Sequence, residues 1–296
     1  MIALDRAADQ RILKGAPATL TAVLPDADGE ADQTVDSGVT VTVTRIDGTA
    51  LATAQAATTT LNGVATYTLT ASQTGAGLDW LTATWTTGGT VRATTVHEIV
   101  GRHWFAPSRL RDVAGVSKAL GSGVGDMTGQ ALIDARTWIE SLIEHATGAA
   151  WVPRVQLDEL DASGRDEVLL SRIWPRTLRS LTIDGTAQTV ADFTLTDYGS
   201  VRRDSSGPIL SANARGFVAL YDHGADAPPS VLVEAAIEAA ADRIKNRIST
   251  LGNRLTGISG EYGTISYSRI DRDNPTGIPA VDAVIRAHDR RSPGVG

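Results

Sequence analysis

Alternation of β-branched residues with small or polar ones runs through the first hundred positions and most constrains how this chain folds. Segments such as ATLTAVL, VTVTVTRIDGTAL and GVATYTLTAS repeat the pattern. A period of two is typical of strands that turn one face to a core and the other to solvent. Asp-Gly at 47–48, Asn-Gly at 62–63 and Gly-Gly at 88–89 supply the residues that tight hairpin turns require. The segment is therefore predicted to consist of short antiparallel strands.

We expect residues 1–100 to form an Ig-like β-sandwich, with Trp80, Leu81 and Trp85 in its core. The chain contains no cysteine, so the sandwich holds together without a disulfide and the chain has no thiolate metal ligand. Over residues 1–100, Lys and Arg number 5 and Asp and Glu number 10, so −5 of the net charge of −7 falls in this domain. The sequence predicts an acidic appendage to the rest of the chain.

The hydrophobic period changes to that of a helix after residue 100. In TGQALIDARTWIESLIEHATG, apolar residues recur at i, i+3, i+4 and i+7, and Gly148 provides the stop. A second long helix is predicted for PPSVLVEAAIEAAADRIKNRIST, which has an Ala-rich face. The fold class is therefore multidomain β and α+β. Residues 101–252 form a helical domain with a small antiparallel β insertion at about 152–224, and residues 253–296 form an extended C-terminal arm.

Charge and hydropathy exclude several classes of protein. With 27 basic and 34 acidic residues, the surface as a whole is not built to neutralise phosphates, so non-specific nucleic-acid binding is not expected. No segment approaches the roughly 18 consecutive apolar residues of a membrane span. We expect a protein that is made and used as a soluble species without membrane contact.

Local motifs that suggest ligand sites are incomplete. GSGVG at 121–125 follows a helix and lacks the Lys-Ser/Thr pair of a phosphate loop, and DADGE at 26–30 lacks the remaining ligands of a calcium loop. The five histidines are scattered and form no i, i+4 pair of the kind that binds zinc on a helix. We predict no cofactor and no metal site.

The stretch YDHGADAPPS, at 221–230, brings the residue types of a hydrolytic triad together in Asp222, His223 and Ser230. A strand, FVALY, runs into it, and the prolines at 228–229 preset the first turn of the following helix. No separate base and oxyanion donors accompany the serine. We therefore predict that this stretch is a turn from a strand into a helix, and we predict no catalytic residue and no enzyme. One alternative is a hydrolase that uses Asp222, His223 and Ser230.

The order of the elements after residue 100 resembles the head-to-tail adaptor (connector) proteins of long-tailed bacteriophages. The resemblance rests on DARTWIESLIEHATGAAWVPR, on the β insertion that ends in FVALYDHGADAPPSVLVEAAIEAAADRI, and on the tail NPTGIPAVDAVIRAH. It covers roughly residues 101–290. It is strongest to adaptors of actinobacteriophages, which often carry an extra N-terminal Ig-like domain.

This resemblance implies a structural virion protein, made in the host cytoplasm and located in the neck between head and tail. It implies a homo-oligomeric, dodecameric ring that binds the portal protein and the next neck or tail connector or stopper. Double-stranded DNA would pass through the lumen without specific binding. The Ig-like domain would contact the capsid. The other alternative is an Ig-like surface-binding module, an adhesin, which deletion of residues 1–98 would separate from an adaptor.

The resemblance also implies two sets of contact residues. The helices that would pack as the body of the ring contribute Leu132, Ala135, Ile139, Leu142, Ile143, Ala235, Ala236, Ala239 and Ala240. The C-terminal arm would contact the portal or a neighbouring subunit through Ile258, Tyr262, Ile265, Tyr267, Pro275, Ile278, Val281, Val284 and Ile285.

Overall fold

The computed structural model describes residues 8–25, 38–60, 63–116, 129–196, 199–204, 209–210, 213–246, 257–260, 263–266 and 274–290. Within these ranges the chain is a mixed β and α+β protein with several sheets and few helices. The motifs at 26–30 and 121–125 lie outside the described residues, as do Tyr262 and Tyr267.

The described residues of the N-terminal part form eight strands and one short helix. They are β1 Gln10–Leu13, β2 Ala18–Val23, β3 Val39–Arg45, β4 Ala50–Ala56, β5 Thr58–Thr60, β6 Val64–Leu69, α1 Ala71–Gly75, β7 Asp79–Thr87 and β8 Thr90–Val100. One sheet has the strand order β1-β8-β7-β3-β4 and the other the order β2-β6-β5. Neighbouring strands are antiparallel except β1 and β8, which run parallel.

The predicted alternation decides which residues of these strands are buried. Val39, Val41 and Val43 of β3 are buried, whereas the threonines between them are half-buried. They share one core with Leu81 and Trp85 of β7 and with residues of the second sheet, so the two sheets pack face to face. Trp80 is also buried, but it belongs to a different cluster, because its side chain leaves β7 on the opposite face.

In the part of the β insertion that the structure describes there are a further nine strands. They are β9 Arg154–Leu160, β10 Ser163–Arg165, β11 Glu167–Leu169, β12 Pro175–Ile183, β13 Thr186–Ala187, β14 Phe193–Leu195, β15 Ser200–Arg203, β16 Ile209–Leu210 and β17 Phe217–His223. They form an antiparallel sheet in the order β13-β12-β17-β9, a three-stranded sheet β11-β15-β14 and a pair β10-β16. Leu181, Val201, Phe217 and Tyr221 lie in the core that these strands enclose.

The remaining elements are helical apart from one hairpin. They are α2 Pro107–Arg111, α3 Gln130–Thr147, α4 Ser230–Asn246, the hairpin of β18 Gly257–Gly260 and β19 Gly263–Ser266, and α5 Pro279–Ala287. Gly148 follows α3 with φ of 67°, which is the left-handed stop that the sequence predicts. The sequence favours Ser108, after Pro107, as the N-cap of the helix at this position, but the N-cap of α2 is Ala106 and Ser108 lies inside the helix.

The chain divides into two compact units. One combines Met1–Arg102 with Val152–Ala225, and the other combines His103–Trp151 with Asp226–Gly296. The β insertion thus groups with the N-terminal sheets, and the helices that flank it in sequence form a unit of their own. The division of the sequence at residues 100 and 252 stays a prediction. None of the described helices is long and apolar enough to cross a membrane.

Acid should weaken the N-terminal sheets through His97. This residue is 1% exposed, and burial lowers its pKa to about 4 against the opposing effect of the nearby Asp9 carboxylate. In the unfolded chain His97 binds this proton near pH 6.5. The stability of the folded state that depends on a neutral His97 is therefore complete above pH 6.5 and is lost as the pH falls toward 4. Between pH 7 and pH 4, the free energy of unfolding measured with urea should fall by about 3 kcal/mol less in His97→Gln than in the wild type. Equal losses in both proteins would contradict this assignment.

Candidate functional site

A second apolar cluster joins the N-terminal sheets to the β insertion. It contains Ala8, Ile46, Leu78, Trp80 and Val96 from the N-terminal part and Val155 from β9, with Leu157 and Leu220 packed against it. The indole Nε1 of Trp80 also donates to the carbonyl oxygen of Val155 at 3.2 Å. We call this contact the junction. The two β bodies share a core here, so the expectation that residues 1–100 are an appendage is wrong.

A fully buried carboxylate lies at the junction. Glu98 on β8 is 0% exposed and accepts hydrogen bonds from Nε and Nη2 of Arg154, the latter at 2.8 Å. Nε of Arg11, on β1, lies 3.3 Å from the same carboxylate and is also buried. The Arg154 guanidinium lies 5.7 Å from the centroid of the Trp80 ring. One carboxylate therefore holds together β1, β8 and β9, two of which belong to the sandwich and one to the insertion.

Arg179 of β12 makes the second polar contact of the junction. Its Nη1 donates to the carbonyl oxygen of Leu78 at 2.8 Å, and its Nη2 lies 2.6 Å from Oδ1 of Asp222. A Cβ atom on Gly77 would lie 3.6 Å from that Nη1, which is an ordinary van der Waals contact. The arginine thus fixes the loop before β7 to the face of the insertion's four-stranded sheet.

Replacing Glu98 should destabilise the protein far more than replacing an exposed carboxylate. In Glu98→Gln the buried Arg11 and the partly buried Arg154 lose an ion-pair partner, and we expect the free energy of unfolding to fall by about 3 to 5 kcal/mol. The control is Glu234→Gln, because Glu234 pairs with Arg109 at 2.6 Å but both side chains are largely exposed. That variant should change stability by less than about 1 kcal/mol. Similar losses in both variants, measured by urea unfolding at pH 7, would contradict the role of Glu98.

In the helical unit, α3 carries a line of buried charges at i, i+4 and i+8. Glu140 accepts from the backbone N–H of Trp104 at 2.9 Å, and Nη1 of Arg136 donates to the Phe105 carbonyl at 3.3 Å. Glu144 accepts from the backbone N–H of Trp151 at 3.3 Å. These side chains therefore hold the segments at 104–105 and 151 against the helix. Each of these segments lies at an end of the stretch His103–Trp151.

Sequence reasoning missed this line of charges. Charges at helical spacing usually indicate a solvated face, and the helix was described by its apolar residues alone. One signal was available in the sequence. Apolar residues occupy most of the rest of the helix circumference, which indicates that the helix is buried on most sides, including the face that bears Arg136, Glu140 and Glu144. The exposed residues of α3 include Gln130, Asp134 and His145.

The residues predicted to pack the body of a ring are buried in this chain, where α3 and α4 contact each other. Buried among them are Leu132, Ala135, Ile139, Ile143, Ala235, Ala236, Ala239 and Ala240, whereas Leu142 is half-buried. Near them the Arg243 guanidinium lies 4.2 Å from the centroid of the Trp138 ring. Their packing between subunits stays a prediction, because the buried side chains already have partners in their own subunit.

Part of the predicted arm folds onto the same helices. In α5, which contacts α3 and α4, Val281 and Ile285 are buried. Pro275, Ile278 and Val284 are half-buried. Ile258 and Ile265 occupy opposite register positions of the β18–β19 hairpin. Contact of these residues with a portal or a neighbouring subunit stays a prediction.

The chain beyond α5 is fixed to the end of α3. The backbone N–H of Arg290 donates to the carbonyl of Thr147 at 2.7 Å, and the His288 ring meets the Trp151 ring edge-on at 6.0 Å. The first contact satisfies one of the carbonyls that the last turn of a helix leaves unpaired. The segment from α5 to residue 290 is thus an integral part of the helical unit.

Removing the buried anchor of α5 should loosen this segment. Ile285→Ala deletes a side chain that is 2% exposed, and we expect a loss of about 2 to 4 kcal/mol in the stability of the docked helix. Hydrogen exchange of the amides of α5 should accelerate accordingly. Ala283→Ser, at an exposed position of the same helix, should leave exchange unchanged. Unaltered protection in Ile285→Ala would show that the helix is held by other contacts.

The residues of the triad-like stretch have structural roles in the described geometry. His223 ends β17 and is 3% exposed, and its pKa is well below the usual value because of burial and the nearby Arg154 and Arg172 guanidinium groups. Asp222 pairs with Arg179. Ser230 is exposed at the first position of α4. The histidine is thus neutral and enclosed, which gives the hydrolase alternative no support. In the described part of the chain, no three His, Asp or Glu side chains are grouped as a metal site requires.

A buried polar network holds the segment of residues 171–176, which we call the corner. The Asp158 carboxylate accepts from Tyr221 Oη at 2.8 Å and from the Ser171 backbone N–H at 2.7 Å, and the Arg172 backbone N–H donates to Tyr221 Oη at 3.2 Å. Burial and the Asp158 carboxylate raise the pKa of Tyr221. Within the corner Trp174 has a φ of 57°, which bulky residues rarely adopt.

Comparison with known proteins yields similarity to solved structures only. No family model matches the chain, and no curated protein matches it. One similar structure is described as the neck of an empty GTA particle computed with C6 symmetry. It is 19% identical, has a TM-score of 0.38 and covers 50% of this chain and 82% of its own.

A second similar structure is described as the neck of a native GTA particle computed with C12 symmetry. It is 15% identical, has a TM-score of 0.35 and covers 62% of this chain and 93% of its own. Scores this low do not establish a common fold.

Proposed function

We propose that this chain is a structural, non-enzymatic subunit of a homo-oligomeric ring in the neck of a phage-like particle. The ring would join the portal to the tail or to the next connector or stopper. The observation that carries the proposal is that α3 and α4, which the β insertion separates in sequence, contact each other, and that α5 then packs on both of them. This is the element order on which the resemblance to head-to-tail adaptors rests.

The chemistry of the buried charges supports a structural role. Glu98, Glu140 and Glu144 each accept hydrogen bonds that fix a strand or a chain segment. An enzyme would instead expose perturbed titratable groups in a cleft. The Ala-rich α4 also suits close helix packing, which leaves other faces of the unit for contacts between subunits.

For the N-terminal domain we propose an Ig-like fold. The adjacency β2-β6-β5 corresponds to strands B, E and D of an Ig sandwich, and β8-β7-β3-β4 corresponds to G, F, C and C′. A domain held at the junction would keep a fixed orientation on the insertion and present its outer surface to a partner. The partner that we propose is the capsid.

The complete assembly that we propose is a dodecamer. Double-stranded DNA would pass through its lumen without specific binding, because the chain is acidic overall. The subunit would be made in the host cytoplasm and would end in the virion neck.

Imaging of the purified protein tests the proposal. Mass photometry over a range of concentrations, followed by cryo-EM, should reveal closed rings of the full chain, alone or after addition of the portal protein. Rings of any other copy number would revise the dodecamer and keep the function. A protein that remains monomeric and does not bind the portal would refute the proposed function.

A further inference from the structure

The outer face of the three-stranded sheet β2-β6-β5 is built from threonine and valine alone. Its residues point away from the core and pair across the strands in three rows. The rows are Thr19–Thr68, Thr21–Thr66–Thr58 and Val23–Val64–Thr60. These side chains carry no charge, although residues 1–100 hold 5 basic and 10 acidic residues. We call this set the small face.

The five-stranded sheet has a second uncharged outer face, which we call the large face. Arg92, at a bulge in β8, is not part of it, and its Nη2 donates to the Pro25 carbonyl at 2.6 Å. The two sheets share one core, so the small face and the large face lie on opposite sides of the sandwich. The rows of the large face are Thr40–Thr86–Val91, Thr42–Thr84–Thr94 and Thr44–Thr82.

The large face continues a surface that already serves as an interface within the chain. Thr82 pairs with Val96 across β7 and β8, and Val96 belongs to the apolar cluster of the junction. The face of the sheet that packs on the β insertion therefore extends beyond that contact as rows of threonine.

Threonines on both faces form hydrogen bonds within their own sheet. The hydroxyl oxygens of Thr40 and Thr86 are 2.8 Å apart, those of Thr19 and Thr68 are 3.3 Å apart, and the Thr66 hydroxyl donates to the Thr58 carbonyl at 3.3 Å. A hydroxyl that keeps such a partner adds little to the cost of removing water from the surface. The threonine methyl groups supply apolar area, together with Val23 and Val91, which are each 57% exposed.

We propose that the small face of one subunit packs on the large face of the next subunit, sheet against sheet, around the ring. The inference rests on the proposed ring. A ring is built from heterologous contacts, so each subunit must present two different surfaces, and two faces on opposite sides of one sandwich meet this need. Because residues 1–100 are acidic, copies of this domain repel each other unless they meet through uncharged surfaces. The capsid contact proposed for this domain would use its remaining surface.

The extent of the small face fits one contact among several. Three strands about 4.8 Å apart and about six residues long present roughly 300 Å². A stable interface buries about 800 Å² on each partner. The contact therefore adds to other contacts between the subunits of a ring, and it is too small to hold an independent dimer.

Two charges on the small face should weaken assembly of the full chain. In Thr21→Glu/Thr58→Glu, two exposed residues of the central row become carboxylates that the contact would bury without partners. We expect the protein concentration for half-maximal ring formation, measured by mass photometry, to rise by at least about tenfold. The control is Thr186→Glu/Thr189→Glu, which adds the same charge at exposed positions of the β insertion and should leave this concentration unchanged. No rise in the small-face variant, or equal rises in both, would overturn the inference.

An isosteric change separates a second copy of this chain from a glycan, the occupant that an adhesin would bind. Thr21→Val/Thr58→Val keeps the shape and the methyl groups of the small face and removes two hydroxyls that a sugar could bond. Rings should form at the wild-type concentration or below it. A rise by about tenfold or more would overturn the inference.

Charge exchange tests the pairing of the two faces. Val91→Lys/Thr94→Lys, at exposed positions of the large face, should weaken rings as strongly as Thr21→Glu/Thr58→Glu does. The chain that carries all four changes should regain rings, because the carboxylates of one subunit then meet the ammonium groups of the next.

The outcomes of this exchange are distinct. Failure of the fourfold variant to assemble, with folding intact by circular dichroism, would overturn the pairing of the faces. Unchanged rings in the lysine variant would also overturn it and would assign the small face to a copy of itself. A wild-type protein that forms no ring, even with portal, would refute the proposed function itself.

Discussion

The buried carboxylate of Glu98 is the interaction on which the larger unit depends. A charge removed from water costs several kcal/mol unless it is paired and hydrogen-bonded, so Arg11 and Arg154 must keep their places and so must the strands that carry them. Arg154 in turn lies beside His223 and favours its neutral form. Polar contacts thus fix the sandwich to the insertion and extend toward the sheet that carries the corner.

The helical unit uses the same device on one helix face. Arg136, Glu140 and Glu144 hold backbone groups of the chain segments next to α3. Backbone N–H and carbonyl groups at such places would otherwise be buried without partners, which costs about 1 to 3 kcal/mol each. Apolar packing of α3 with α4 supplies the driving force, and the charges determine where the chain enters and leaves the helix.

Periodicity predicted the elements well and the placement of charged residues poorly. Alternation in VTVTVTR and VATYTL identified β3 and β6, and the apolar spacing with Gly148 identified α3 and its end. The expectation that residues 1–100 form an appendage was wrong, because the net charge of a domain does not reveal an apolar cluster such as that of Trp80 and Val155. The charged residues on α3 and Trp174 contact residues distant in sequence, so a local pattern can indicate that a charged face is buried but cannot identify the groups that it contacts.

The junction changes how an adaptor can be distinguished from an adhesin. Deletion of residues 1–98 would remove Glu98, which pairs with Arg154, and the apolar residues of the N-terminal part that pack with Val155, so the truncated protein would fail for reasons of stability under either hypothesis. Single substitutions on the sandwich avoid this ambiguity. Val23 and Val91 are each 57% exposed and lie outside the junction cluster, so changes there alter a binding surface while leaving the shared core intact.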